Sequence, residues 1–158
     1  MITLKEVQKA QLEWGNAIVE IGKLKNLPFD EIREKTSDII RKLYYFEKDH
    51  IMFKPTRARE HPFRGDFEGA LSYFIGHNDS FDEDDGFALQ PWVAVRFDNF
   101  QIDIENDRAF AMGEYFFTTE SGEEKKVEYT FGYVKLPTGE LKIDLHHSSV
   151  PFAPTLAQ

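Results

Sequence analysis

Cysteine is absent from the chain. That removes disulfides, thiolate nucleophiles and thiolate metal ligands together. Basic residues are in deficit, with 19 Lys and Arg against 28 Asp and Glu and a formal charge of −9. Most of such a surface repels a phosphate backbone. No basic stripe with interleaved aromatics offers an exception, so nucleic acid is not an expected partner. The acidity favours solubility. Long apolar runs are missing too, and no membrane-crossing segment is expected. The N-terminus is charged from its start, at Lys5 and Glu6, where a signal peptide would be apolar. The expected location is therefore the cytoplasm. A Gly-rich phosphate loop, a Gly-x-Ser-x-Gly elbow and a His-Glu-x-x-His helix are all lacking.

Aromatic side chains are plentiful by contrast. They make up 15% of 158 residues, and Phe alone supplies 15. That much ring surface in a chain of one-domain length suggests a curved sheet closing over an aromatic interior.

Helical periodicity occupies the first half. Thr3 and Glu6 form a capping-box pattern, and Val7, Ala10, Trp14, Ile18, Ile21 and Leu24 recur at helical spacing. The spacing predicts a helix from about Leu4 to Lys25, ended by Asn26-Leu27-Pro28. Asp30 is placed to cap a second helix with Ile32, Ile39, Ile40, Leu43 and Tyr44 on its apolar face. A short strand at Ile51–Phe53 and a helix at Phe67–Ile75, capped by Asp66, follow. Asn78–Gly86 is acidic and aperiodic. It fails the calcium-loop pattern, because Phe81 stands where the first aspartate belongs, and reads as a solvated loop.

Beyond Gly86 the period changes to two. Val93 to Ile104, with a bend or bulge at Asp98-Asn99, then Arg108 to Thr118, Val127 to Tyr133 and about Glu140 to Val150 read as antiparallel strands joined by turns at Ser121-Gly122 and Pro137-Thr138-Gly139. Helices first and a strand meander afterwards mark the chain as α+β, one domain over residues 1–158, with a strongly curved sheet around the first helix.

The last strand carries the most chemical information. Strict alternation puts Leu141, Ile143, Leu145, His147 and Ser149 on one face, and Lys142, Asp144, His146 and Ser148 on the other. The first face is the apolar one, so His147 and Ser149 are expected to enter the interior near its mouth. Buried polar groups need partners. These are either protein groups, in which case the pair only packs, or a ligand. His146 and His147 point to opposite sides of a strand and cannot readily chelate one ion. His50, His61 and His77 show no ligand spacing, so no built-in metal is expected.

Three segments then take on a family likeness. Phe53-Lys54-Pro55-Thr56, Phe67-Glu68-Gly69-Ala70-Leu71-Ser72-Tyr73-Phe74 and Leu145-His146-His147-Ser148-Ser149 resemble the iota-class carbonic anhydrases, as does Val127–Tyr133. The resemblance covers roughly Ile51 to Pro151, and His-His-Ser-Ser is its most specific part. It implies the cone-shaped nuclear-transport-factor-2-like fold of the calcium/calmodulin-dependent kinase II association domain. It also implies reversible hydration of carbon dioxide to bicarbonate. Some members use a metal and others none. The missing chelating pattern points here to the metal-free type, with zinc or manganese as the alternative. For the metal-free type the resemblance implies a pocket of threonine, tyrosine, histidine and serine. These correspond to Thr56, Tyr73, His147 and Ser149, with Tyr115 and Tyr129 as rivals for the tyrosine. The expected chemistry has Tyr73, Thr56 and Ser149 positioning water and bicarbonate, and His147, or a hydroxyl chain ending at it, carrying the proton away. Many bacterial members carry a secretion signal, a pattern from which this N-terminus departs.

Two other readings use the same fold. One is a non-catalytic association or small-ligand module, with outward aromatics driving a homodimer or higher oligomer. The other is an isomerase or dehydratase using Glu114 or Glu128 as an inward base.

Overall fold

The structure, a computed structural model, describes residues 1–154. Helix α1 spans Leu4–Gly22 and α2 spans Phe29–Leu43. Strand β1 is Met52–Lys54, and α3 is Phe67–Ile75. Strands β2 (Trp92–Glu105), β3 (Arg108–Thr119), β4 (Glu124–Lys135) and β5 (Leu141–Ser149) complete the chain. The sheet order is β1-β5-β4-β3-β2. Every pairing is antiparallel except β1 with β5, which is parallel. This is the α+β arrangement expected, with helices segregated onto the concave side of a meander.

Helix ends follow the local chemistry. The Thr3–Glu6 capping box forms in full, and Asp66 accepts the Gly69 N–H at 2.7 Å to start α3. Helix α1 stops at Gly22, three residues earlier than the spacing predicts. Asp30 is a correction: α2 begins at Phe29 behind Pro28 with no side-chain cap, and Asp30 lies in the first turn, where a carboxylate favours the positive end of the helix.

Trp14 from α1 inserts into the concave face. It stacks on Tyr115 at 5.4 Å and meets Phe131 edge-on at 5.6 Å. Tyr73, Phe74, Phe87, Phe117 and Tyr129 extend this ring-packed core.

Between β1 and α3 the chain is braced by charge. Arg64, wholly buried, donates to both oxygens of Asp84, at 2.7 and 2.8 Å, and to the carbonyls of His61 and Gly69. Ser72 donates to Asp84 at 2.6 Å. Glu83 accepts the backbone N–H groups of Arg59, Glu60 and His61. The acidic segment 78–86 is therefore not simply solvated, as its composition suggested. Two of its carboxylates turn inward because a buried guanidinium and three free N–H groups need acceptors.

Three register shifts set strand parity. Two are on β2, one between Trp92 and Ala94 and one between Asn99 and Gln101, the latter beside the position where sequence alternation broke, with Gly113 opposite. The third is on β5. Tyr133 pairs with Ile143 and Gly132 with Leu145, leaving Asp144 as the extra residue. A Cβ on Gly132 would stand 2.8 Å from the Leu145 Cβ, so only glycine lets the bulged strand approach this closely. Asp144 is held by Arg108 at 2.6 Å and Lys48 at 3.3 Å.

Candidate active site

The β5 bulge changes which residues face the core. Ile143 points inward as expected, but one added residue reverses every later position. His146 and Ser148 are buried, with 2% and 1% exposure, whereas His147 is exposed and Ser149 half-buried. The inward placement of His147 and Ser149 is thus corrected. Both lie on the convex side, along a shallow groove with Phe100, Met112 and Thr130.

His146 occupies an aromatic box. Its ring lies 4.8 Å from Phe53, 4.2 Å from Phe131 and 5.6 Å from Trp14. Burial, assisted by the neighbouring His147 charge, holds its pKa well below the ordinary imidazole range, so the ring is neutral near pH 7. The Tyr44 hydroxyl lies 2.8 Å from Nδ1, and the Tyr115 hydroxyl lies 3.1 Å from Nε2.

From Tyr115 the contacts continue in single file. Its hydroxyl is 2.5 Å from Ser148 Oγ, which is 2.6 Å from Thr56 Oγ1. Parallel pairing of β1 with β5, Phe53 beside His146 and Lys54 beside His147, brings Thr56 to Ser148. Pro55 keeps the preceding segment extended, and Lys54 Nζ clips the Ser148 carbonyl at 3.2 Å. Tyr73 sits at the edge of this group and accepts the Arg57 N–H at 3.2 Å. Burial pushes its pKa up to about 12, and the Arg57 N–H and Thr56 hydroxyl temper that rise. Burial also pushes Tyr44 and Tyr115 far above the usual phenol range, so all three phenols keep their protons.

Thr56 is the half-buried member of the file. It borders a depression of about 220 Å³ walled by Arg57, Phe87, Trp92, Phe117 and Val127. A second hollow of about 190 Å³ adjoins Tyr73, Arg57 and Phe87. The larger cavity beside Tyr133 and Leu141, about 420 Å³, contains none of these groups and lies at the opposite end of β4 and β5.

Among the sequence candidates, Thr56, Tyr73 and Tyr115 meet in one place. Tyr129 does not join them, because its hydroxyl bonds Gln11 and Asn99. Glu114 and Glu128 pair across β3 and β4 on the convex side, which leaves the isomerase reading without an inward base. Sequence periodicity presents Tyr44 and Trp14 only as core positions. Polar tips on two rings of an apolar stripe were the available signal, since a buried Tyr O–H or Trp N–H demands a partner. Among the described residues, no three His, Asp or Glu side chains converge as a metal site would require.

The family model described as metal-independent carbonic anhydrase matches residues 5–150. A metal-independent carbonic anhydrase of Nostoc sp. (strain PCC 7120 / SAG 25.82 / UTEX 2576) is 35% identical over 96% of this chain and 75% of its own length. An iota-carbonic anhydrase from a cyanobacterium, solved in complex with bicarbonate, superimposes with a TM-score of 0.93. It is 34% identical and covers 97% of this chain and 94% of its own. A calcium/calmodulin-dependent protein kinase II association domain from Xanthomonas campestris, described as putative, reaches a TM-score of 0.60 at 21% identity. That match covers 96% of this chain and 89% of the other, and it speaks to the fold alone.

Proposed function

The chain belongs to the metal-independent carbonic anhydrase family and interconverts carbon dioxide and bicarbonate, and we propose that it does so at the Tyr115–Ser148–Thr56 file, with His146 behind it and Tyr73 at its edge. The observation that carries this assignment is the file itself. Buried neutral hydroxyls run in unbroken contact from His146 to the one member that borders a ring-walled depression.

Carbon dioxide is small and apolar, and the walls of Phe87, Trp92 and Phe117 suit it. In hydration the oxygen of a water molecule bonds to carbon, a C=O bond opens, and negative charge develops on the former carbon dioxide oxygens. Hydroxyl hydrogens fixed at that place stabilise the charge without reorganising. The bicarbonate bound by the cyanobacterial relative supports the same ligand here. Arg57, Lys125 and Lys126 outnumber Glu124 around the depression, a balance that favours the anion.

Stopped-flow hydration assays on chelated protein test the reading. Turnover should persist without metal and fall in Thr56→Val and Ser148→Ala. Restoration by zinc or manganese alone would overturn the metal-free mechanism.

A homodimer and a cytoplasmic location complete the proposal. The convex face exposes Phe100 (77%), Met112 (50%) and Phe110 (41%), which supports self-association. Light scattering and cell fractionation test these two points.

A further inference from the structure

The contacts around His146 fix more than its position. Trp14 Nε1–H donates to the Tyr44 hydroxyl at 3.0 Å. An indole nitrogen can only donate, so this bond has one possible direction. Tyr44 has a single hydrogen of its own, and among the described residues its hydroxyl has one other partner, Nδ1 of His146. All three side chains are buried.

Two protonation patterns of the ring fail at this point. A hydrogen on Nδ1, in the other neutral tautomer or in the cation, would point at an oxygen that already accepts from Trp14. The Tyr44 hydrogen would then be a buried donor without an acceptor. With Nδ1 bare and the hydrogen on Nε2, every group is satisfied. Tyr44 donates to Nδ1, and Nε2–H donates to Tyr115.

That choice propagates. Tyr115 accepts from the ring and gives its hydrogen to Ser148. Ser148 gives its hydrogen to Thr56, and the Thr56 hydrogen is left for the pocket edge, where the depression and the Tyr73 hydroxyl lie. We propose that Trp14 and Tyr44 are positioning residues that lock His146 as a neutral Nε2–H donor, so that the hydroxyl file presents hydrogens, not lone pairs, to the substrate pocket.

A file of this polarity suits an anion and cannot drain a proton. A proton entering at Thr56 would have to arrive at Nε2, which already carries one, and Nδ1 is closed by Tyr44 and Trp14. The proton of the attacking water therefore leaves on the open side, to solvent or a buffer base, and His146 is not the acceptor. The titratable groups around the ring are Tyr44, Tyr115 and, beyond the strand, His147. Trp14, Phe53 and Phe131 cover its remaining sides.

The catalytic consequence rests on the reaction proposed above, whereas the lock can be read directly. Long-range ¹H–¹⁵N spectra of the intact, ¹⁵N-labelled protein report both ring nitrogens. Nε2 should be protonated and Nδ1 bare, unchanged across roughly pH 5 to 8, where a free imidazole titrates. In Tyr44→Phe the ring loses the hydrogen that Tyr44 holds on Nδ1, so its single tautomer should give way to a mixture. In Trp14→Phe, which only loosens the Tyr44 hydroxyl, the mixture should be slighter. In Tyr44→Phe kcat should fall roughly tenfold, less than the ~10²–10³ lost when an oxyanion donor is itself removed. A protonated Nδ1 in the wild type, or a ring that titrates in that range, overturns the lock even if neither variant folds. A variant that loses turnover while keeping the wild-type ring overturns it as well. The expected ring in a protein with no hydration activity would sustain the lock and retire the function. A differently protonated ring in an active enzyme would do the reverse.

Discussion

The molecule buries two polar clusters side by side, and they are built on opposite principles. Around Arg64 the groups are ions. The guanidinium, Asp84 and Ser72 saturate one another, with two carbonyls taking the spare hydrogens. Around His146 the groups are neutral, and the file ends at the half-buried Thr56 with a hydrogen to spare. The first cluster is closed and holds a loop beside the pocket. The second is open at one end and is placed to meet a ligand. Buried polarity by itself does not separate bracing from chemistry. Whether the network closes on itself does.

The sharpest way to break that contrast is to remove charge from the closed cluster. Asp84→Asn leaves buried Arg64 with only Glu83, at 3.7 Å, as a charged partner and should cost up to about 3–5 kcal/mol of stability, read as a lowered denaturant midpoint. Any turnover loss should track the unfolded fraction. If folded Asp84→Asn were inactive, the clusters would not divide as described.

The open cluster should respond in the other sense. Ser148→Ala should cut kcat by ~10²–10³ and stability by only about 1 kcal/mol. Ser149→Ala, one residue away on the convex side, should leave turnover near wild type. Equal losses in both variants would contradict the strand parity.

A smaller effect is expected at Gly132→Ala. The new methyl would press on Leu145 at the bulge, costing roughly 1–3 kcal/mol and lowering kcat as Ser148 shifts. Circular dichroism melts and the hydration assay read the two effects separately.

The smallest effect concerns pH. His146 has a depressed pKa when folded, so the unfolded chain binds the extra proton first. Its contribution to stability is complete above the unfolded imidazole value of about 6.5 and erodes as pH falls below it. Denaturant midpoints on either side of that value should decline toward acid. A midpoint independent of pH would mean that the ring is not held neutral.

Much of the fold was legible because each signal was local. The Thr3–Glu6 box, the Asp66 cap and the two-residue period after Gly86 each need only near neighbours. The likeness to iota-class enzymes also brought Thr56, Tyr73 and Tyr115 into one candidate set. What could not be read was non-local. Alternation along β5 is a property of β5 alone, but the Asp144 bulge depends on Gly132 across the ladder and on Arg108 from a third strand. Trp14 and Tyr44 were legible as rings, not as polar tips, because their partners lie 30 and 102 residues away.

The doubled letters of His-His-Ser-Ser acquire a different meaning once that bulge is in view. Were Asp144 to join the ladder, His147 and Ser149 would replace His146 and Ser148 on the concave side. The strand spells the same word to the interior in two frames, so the motif cannot choose its own alignment. The choice is made by Asp144, kept out of the ladder in the grip of Arg108 and Lys48, and by Gly132, which leaves it room to stay out. A carboxylate and a missing methyl, both remote from the substrate, act as the punctuation that tells the enzyme which histidine to use.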